Sequence, residues 1–375
     1  MSTQNQVLSL WGMRSFRMMV AEHVTDGHPD KICDQIADTI VTEALVQDPD
    51  SHVAAEVTGG HGMVFITGEI TSSASLDLRG IARRIYKDIG HMDDIHVFTH
   101  VVQQSVNIAR GVRQTSEHEQ GAGDQGIMTG YAVNETPELM PLEWVISRDL
   151  CRRLKEVRLT GLIPYLRPDG KSQVTIEDGR VIHVTMACHH ASGIQQASIK
   201  EDIIRHVVRH ILPDLDGTTV VVNGTGAFEI GGFEADSGTT GRKLVVDNYG
   251  PRVEIGGGAY SGKDPSKVDR SAAYCCRWVA KSVVANGLAE EALVKLAYAI
   301  GVAEPTHFSI QTNRGHGHDA ELAEMIRQKI CFKPRAIIER LNLTDMSNGW
   351  TYLDAAAFGH YGRDAFPWEV VIDLS

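Results

Sequence analysis

At 375 residues, with 42% hydrophobic and 22% charged residues, the chain can pack two or three domains and is not of a disordered or fibrous class. Its formal net charge of −12 argues against nucleic acid or an anionic membrane as a general partner. No run approaches the roughly 18 apolar residues of a membrane span, and the opening MSTQNQVLSLWGMRSFRMM lacks the basic stretch of a secretory signal.

Residues 1–15 read as a loose N-terminal extension. A helix pattern covers 29–46, with Pro29 at its start and Ile32, Ile36 and Ile40 on one face. Strands are expected over 52–58 and 63–70, joined by Gly59-Gly60-His61-Gly62, then a helix over 75–89 and a strand over 95–103. The polar, glycine-bearing stretch 104–130 reads as a long loop. The pattern restarts with a helix over 142–157, strands 173–178 and 181–188 around Asp178-Gly179, a helix over 199–211 and a strand over 218–222. It restarts again with a strand over 243–247, a helix over 265–285, strands 292–300 and 306–312, and a helix over 319–330. Recurrence about every 110–120 residues is too long for a solenoid and suits three similar α+β domains. Their boundaries are expected at 16–110, 111–230 (with 111–126 partly loop) and 231–375. The six cysteines form no C-x-x-C pair, which fits reduced core thiols in a cytoplasmic protein.

Chemistry concentrates in GGGAYSGKDPSKVDRSAAY, residues 256–274. Three glycines permit close approach of the backbone to a ligand. Lys263 and Lys267 follow, with Asp264 as expected N-cap and Pro265 as expected first helical residue. A helix N-terminus with two lysines attracts anions, and Asp269, one turn in, suits a divalent cation held against the same anion. Gly257 to Lys263 fits most of a Walker A loop, but Asp264 stands where Ser or Thr is needed. A glycine loop before an amphipathic helix with a solvated charged start accounts for the same residues.

Other motifs are open in the same way. In His28-Pro29-Asp30-Lys31, Asp30 is either a dipole-stabilising first-turn acid or a Mg²⁺ ligand, with His28 donating to phosphate. Arg167-Pro168-Asp169-Gly170-Lys171-Ser172 is a charged turn or an acid–base pair at a strand mouth. Asp236 precedes Gly241-Arg242-Lys243, and Gly121 to Gly126 carries Asp124. His206 with His210, and His316 with His318, lack the further ligands of a zinc site. No G-x-S-x-G elbow or HRD-type loop is present. Taken together, Lys171, Arg242, Lys243, Lys263 and Lys267 with Asp30, Asp124, Asp169, Asp236 and Asp269 are equipment for a Mg²⁺-nucleoside triphosphate, where cations offset charge on a departing phosphate chain.

These residues also carry a resemblance. GHPDK (27–31), GEIT (68–71), GAGDQG (121–126), RPDGKSQV (167–174), GTTGRK (238–243), the 256–274 run, GVAEPT (301–306), FGHYGR and FPWE (up to 369) closely resemble, in order, the S-adenosylmethionine synthetases. The resemblance implies an α+β subunit of three structurally similar domains in pseudo-threefold arrangement, with mixed sheets and helices on one face. It implies a homodimer or dimer of dimers with shared active sites, two Mg²⁺ per site, and K⁺. The implied reaction joins ATP and L-methionine, with water, into S-adenosylmethionine, phosphate and diphosphate. Sulfur attacks C5′ and the expelled triphosphate is then hydrolysed. By motif match, His28, Lys171, Arg242, Lys263 and Lys267 would be catalytic. Those residues with Asp169, Ala227, Phe228, Asp236, Lys243 and Ala259 would line the ATP site. Glu69, Gln104, Asp236 and Lys267 would hold methionine, and Asp124 would lie with the ATP and triphosphate residues. Asp30 and Asp269 would hold Mg²⁺, Glu56 would belong to a K⁺ site, and 104–114 would form a lid. Departures from the usual pattern are Val106-Asn107 for Pro-Asp, Ala109-Arg110 for Asn-Gln, Ala227 for Arg, Ile255 for His, and a shortened 91–103 segment.

Overall fold

The computed structural model describes residues 18–104 and 120–374. The expected extension over 1–15 and the expected lid, apart from Gln104, lie outside them, as do Val106, Asn107, Ala109 and Arg110.

One supersecondary unit recurs. Its first copy is β1 (Met18–Val24), α1 (Pro29–Gln47), β2 (His52–Gly60), β3 (Met63–Thr71), α2 (Leu78–Ile89) and β4 (His96–Val102). The second is β5 (Gly126–Val133), α3 (Leu142–Leu159), β6 (Leu166–Glu177), β7 (Arg180–His190), α4 (Gln196–Ile203) and β8 (Thr219–Val222). The third is β9 (Gly238–Thr239), α5 (Val268–Ala285), β10 (Glu291–Tyr298), β11 (His307–Thr312) and α6 (His316–Lys329). Two of the central hairpins turn on His61-Gly62 and Asp178-Gly179, four residues that all have positive φ, as a two-residue hairpin turn demands.

The sheets are not built from contiguous segments. Each copy's first strand leaves its own hairpin and pairs antiparallel with another's: β1 with β6, β5 with β10, β9 with β2. The sheets therefore run β4-β3-β2-β9, β1-β6-β7-β8 and β11-β10-β5. The closing strands β4 and β8 pair in parallel with β3 and β7. This cyclic exchange locks the three domains together, since no sheet is complete without its neighbour. It also explains why β1 and β5 escaped the sequence reading: each is an isolated strand with no hairpin partner next to it in the chain. In β5, Gly130 lowers the strand signal because α5 passes so close that a Cβ there would meet the Cys276 carbonyl carbon at 2.0 Å.

The largest core joins α1 and α5 to the first and third sheets, with Ile32, Ile36, Ile40, Val279 and Val283 all buried. A second core lies under the central sheet, around Leu150, Leu154, Val174, Val184 and Ile203. Both α1 and α5 are buried on almost every side, so their charged residues lie inside the protein and must find partners there.

Three local expectations are corrected. Residues 243–247, read as a strand from the β-branched run, form a helical turn over Leu244–Asp247, capped by Lys243. This turn delivers Asp247 inward to Lys31 and offers the Val246 carbonyl to the Trp144 indole. The helix expected from Pro265 starts at Val268, after Lys267 in extended backbone. Asp264 caps a separate turn there, accepting the Ser266 N–H at 2.8 Å. The strand expected from 173 begins at Leu166 and carries an irregularity up to Gly170, which places Asp169 within it.

Candidate active site

The site forms where the third domain closes on the edge of β2. Thr239 and Gly238 pair with Thr58 and Gly59, and the Thr240 N–H reaches the Val57 carbonyl at 2.9 Å. Further along the same edge the Ala55 N–H bonds the Gly262 carbonyl at 2.8 Å, and Lys263 bridges to Ala54. The two segments carrying Arg242-Lys243 and Lys263 are thus stitched to one strand, and Gly241 packs against Ala259.

Beneath them stands the N-terminus of α1. His28 is its N-cap, and His28 Nδ1 accepts the Asp30 N–H at 3.2 Å. That leaves Nε2 to carry the ring proton. Burial, then the Lys243 and Lys171 ammoniums, push His28 down to about 3, so it is a neutral hydrogen-bond donor beside two cations. The buried Asp30 receives the Thr239 N–H at 2.9 Å and Lys243 Nζ at 2.5 Å, and Arg242 Nε lies within ion-pair range at 3.4 Å. Burial raises its carboxyl, but Lys243 and the Thr239 N–H together outweigh that and hold it below the usual range. On the other side, Lys263 Nζ lies 2.5 Å from Asp269 Oδ2, and Asp269 Oδ1 takes the Gly258 N–H at 3.2 Å. Gly258 lies close against this pair: a Cβ there would meet Asp269 Oδ2 at 2.3 Å, so a larger residue would make the carboxylate shift. Lys267 is paired with Asp264.

The central domain contributes Asp169, Lys171 and Phe228. Asp169 Oδ2 accepts the Gly232 N–H at 2.9 Å, while Oδ1 is buried with no hydrogen-bond partner. Burial pushes its carboxyl up to about 6, against the pull of the Gly232 N–H and Lys171. Lys171 is solvent-exposed on β6, next to Val24 of β1. Phe228 stacks on His189 with centroids 5.3 Å apart and donates its N–H to His190 Nε2 at 3.0 Å; Ala227 is exposed beside it.

Other expected residues approach the cluster without bonding into it. Glu56 and Glu69 share the outer face of the first sheet, and Glu69 lies opposite Ala54, the residue bridged to Lys263. The Gln104 N–H bonds Thr71 Oγ1 at 3.1 Å, and its Oε1 is buried without a partner among the described residues. Among the described residues, the Asp124 and Asp236 side chains each accept the N–H of the residue that follows. The loop bearing Asp124 nonetheless lies against the other lysine: a Cβ on Gly123 would meet the Ser266 carbonyl oxygen at 2.7 Å. Among the described residues no three His, Cys, Asp or Glu side chains converge to hold a metal unaided. No helix among them is long and apolar enough to cross a membrane.

Sequence reasoning missed the layer under the site. Lys31 bonds Asp34 at 2.9 Å and Asp247 at 2.6 Å, and Arg270 bonds Asp38 at 2.6 Å while its guanidinium carbon lies 4.4 Å from the Tyr352 ring centroid. The available signal was the four-residue spacing of Asp30, Asp34 and Asp38 on a helix otherwise destined for the core.

Comparison with known proteins bears on the whole chain. Residues 17–116, 119–228 and 230–370 match the family models described as S-adenosylmethionine synthetase N-terminal, central and C-terminal domains. The S-adenosylmethionine synthase of Trichodesmium erythraeum is 45% identical over 95% of each chain. Those of Thermus thermophilus and Clostridium tetani are each 44% identical, over 95% and 94% of this chain and 96% of their own length.

Proposed function

The chain belongs to the S-adenosylmethionine synthetase family and is a methionine adenosyltransferase, and from that premise we propose how its own residues divide the work. The methionine sulfur, a neutral thioether, attacks C5′ of ATP and expels the triphosphate. No proton leaves the nucleophile, so the protein needs no general base. Acceleration comes from alignment and from stabilising charge on the leaving group. Lys263, Arg242 and Lys243 receive the triphosphate, with Lys171 and Lys267 at its flanks. His28, neutral and donating through Nε2, bonds the oxygen on which charge accumulates as the C5′–O bond breaks. Asp169, with its unpartnered oxygen, and Phe228, with its ring, take the nucleoside beside Ala227 and Ala259. Glu69, Gln104 and Asp236, with Lys267, hold methionine, and Asp124 lies with the residues around the triphosphate.

The observation that carries this reading is the pairing of site cations with site carboxylates, Lys243 with Asp30 and Lys263 with Asp269. In each pair the carboxylate stands in for a phosphate and the ammonium for a metal ion. With Mg²⁺-triphosphate bound, Lys243 and Lys263 would turn to phosphate oxygen, and Asp30 and Asp269 would be free to hold the cation. Single carboxylates suit Mg²⁺, which keeps water and phosphate in its shell instead of an all-protein cage. Asp30 and Asp269 would each help hold one of two Mg²⁺, which would supply further charge neutralisation on the phosphates. K⁺ is assigned to the neighbourhood of Glu56.

The outer face of the first sheet supports a homodimer, itself able to pair into a tetramer. Met63, Phe65, Phe98 and Val102 are 43–49% exposed there, and Phe65 stacks on Phe98 at 5.1 Å. Glu56 and Glu69 lie on this same face, so a second copy covering it would close the rim and share the site.

Mass spectrometry of products from purified protein with ATP, methionine, Mg²⁺ and K⁺ tests the reading. S-adenosylmethionine with phosphate and diphosphate is the expected outcome. ADP as main product would indicate a kinase or ATPase instead. Light scattering should give at least twice the 41.1 kDa chain mass; a monomer that turns over would remove the shared site.

A further inference from the structure

The contacts α1 makes with the third domain repeat with its helical period. Asp30, Asp34 and Asp38 are spaced by four, so they stand above one another on one face. Asp30 takes the Thr239 N–H, Asp34 Oδ1 takes the Gly241 N–H at 2.9 Å, and Asp38 Oδ1 takes the Gly262 N–H at 2.9 Å. Asp38 also receives the Ser261 hydroxyl at 2.9 Å. Gly241 and Gly262 have φ of +76° and +83°. Each has no room for a side chain: a Cβ would meet Ala259 Cβ at 2.4 Å or the Ala55 carbonyl at 2.0 Å. In both segments the next residue is a site cation, Arg242 (then Lys243) after Gly241 and Lys263 after Gly262. Asp34 and Asp38 are fully buried, so neither reaches a substrate.

We propose that Asp34 and Asp38 are positioning residues for the triphosphate-binding cations, each fixing the left-handed glycine turn from which Arg242-Lys243 or Lys263 is presented. This inference rests on the ATP-site reading above. A carboxylate suits the task because a charged acceptor grips a backbone N–H more firmly than a neutral one. Its second function, pairing Lys31 or Arg270, anchors it from behind so that the turn, and not the acid, would have to move.

The alternative is that Asp34 serves only to neutralise Lys31. Asp247 provides the control, since it bonds the same ammonium and no N–H of 239–241. Asp34→Asn keeps an oxygen for the Gly241 N–H but loses the charge, whereas Asp34→Glu keeps the charge but displaces the acceptor by a methylene. Binding of inorganic tripolyphosphate with Mg²⁺, by calorimetry, and steady-state kinetics with ATP and methionine varied separately distinguish the two. Positioning predicts tripolyphosphate affinity in the order wild type, Asp34→Asn, Asp34→Glu. Asp34→Glu should lose roughly 10- to 100-fold in kcat/KM for ATP while KM for methionine moves less than about threefold. Asp247→Asn should stay within about threefold of wild type in every parameter. The same shift should appear for Asp38→Asn through Lys263. A reversed order, with Asp34→Glu outperforming Asp34→Asn, or an Asp247→Asn that reproduces the Asp34 losses, overturns the proposal. Should the glutamate variant not fold, the contrast between the two isosteric amides at positions 34 and 247 decides it. Wild-type protein that neither binds tripolyphosphate nor makes product would sink the ATP-site reading itself, a separate failure.

Discussion

Two layers of ion pairs lie within a few residues of one another on α1 and α5, and they are put to different uses. In the outer layer, Lys243 with Asp30 and Lys263 with Asp269, each lysine has one carboxylate partner and about a fifth of its side chain in water. In the inner layer, Lys31 with Asp34 and Asp247, Arg270 with Asp38, and Arg277 with Glu369, the cations are closed off from solvent. An outer lysine can turn to an incoming anion because its own ammonium reaches solvent, and the buried carboxylate it leaves keeps a backbone N–H, that of Thr239 on Asp30 and that of Gly258 on Asp269. An inner one has no route to a ligand, and losing its partner would strand a buried charge. On the reading proposed above, the same chemistry is a binding device in one layer and a structural clamp in the next. Access to solvent decides which.

That contrast predicts opposite signatures. Lys263→Ala or Asp30→Asn should lower product formation by about three orders of magnitude or more, by loss of leaving-group stabilisation, with melting shifted by only a few degrees. Retained turnover in either would break the comparison at its outer side. Arg277→Met should do the reverse. Its guanidinium bonds Glu369 and the carbonyls of Tyr131, Leu139 and Glu138, so removal should cost about 3–5 kcal/mol of stability. Below the melting transition kcat should stay within a few-fold of wild type; denaturant unfolding alongside initial rates checks both halves.

Asp169, on β6, is a buried carboxyl of a third kind, held by the Gly232 N–H and by no ion pair among the described residues. Its folded value of about 6 lies above its usual 3.8, so the folded chain binds the extra proton. The stabilisation it contributes is complete below about pH 4 and disappears as pH rises through about 6, a change on the order of 3 kcal/mol. Asp169→Asn should flatten the slope of stability with pH in that window, seen in unfolding midpoints taken at half-unit steps. A slope unchanged in the variant would place the titration elsewhere. The smallest effect concerns the thiols. Cys331 is exposed and Cys33, Cys151, Cys188, Cys275 and Cys276 are buried, so a small alkylating reagent should label one thiol per native chain, counted by intact mass, with turnover unchanged.

Much of this was legible in the chain itself. The helical period of Ile32, Ile36 and Ile40, the Asp178-Gly179 turn and the threefold recurrence of helix, hairpin and helix are local signals, each set by spacing and by backbone preference within a few residues. The charged motifs were legible for the same reason: Lys263, Asp269, Asp30 and His28 stand in short runs whose composition suits a polyphosphate. Tertiary structure alone decided what depends on separate stretches meeting. It sent β1, β5 and β9 into sheets other than those of their own neighbours, turned the strand-like Leu244–Asp247 into a helical turn because Asp247 had to reach Lys31, and converted three evenly spaced aspartates into a dock for the N–H groups of Thr239, Gly241 and Gly262, each more than two hundred residues away. Local sequence sets conformational preference. Which charges are stranded in the interior, and must therefore find each other, is settled only when the whole chain has packed.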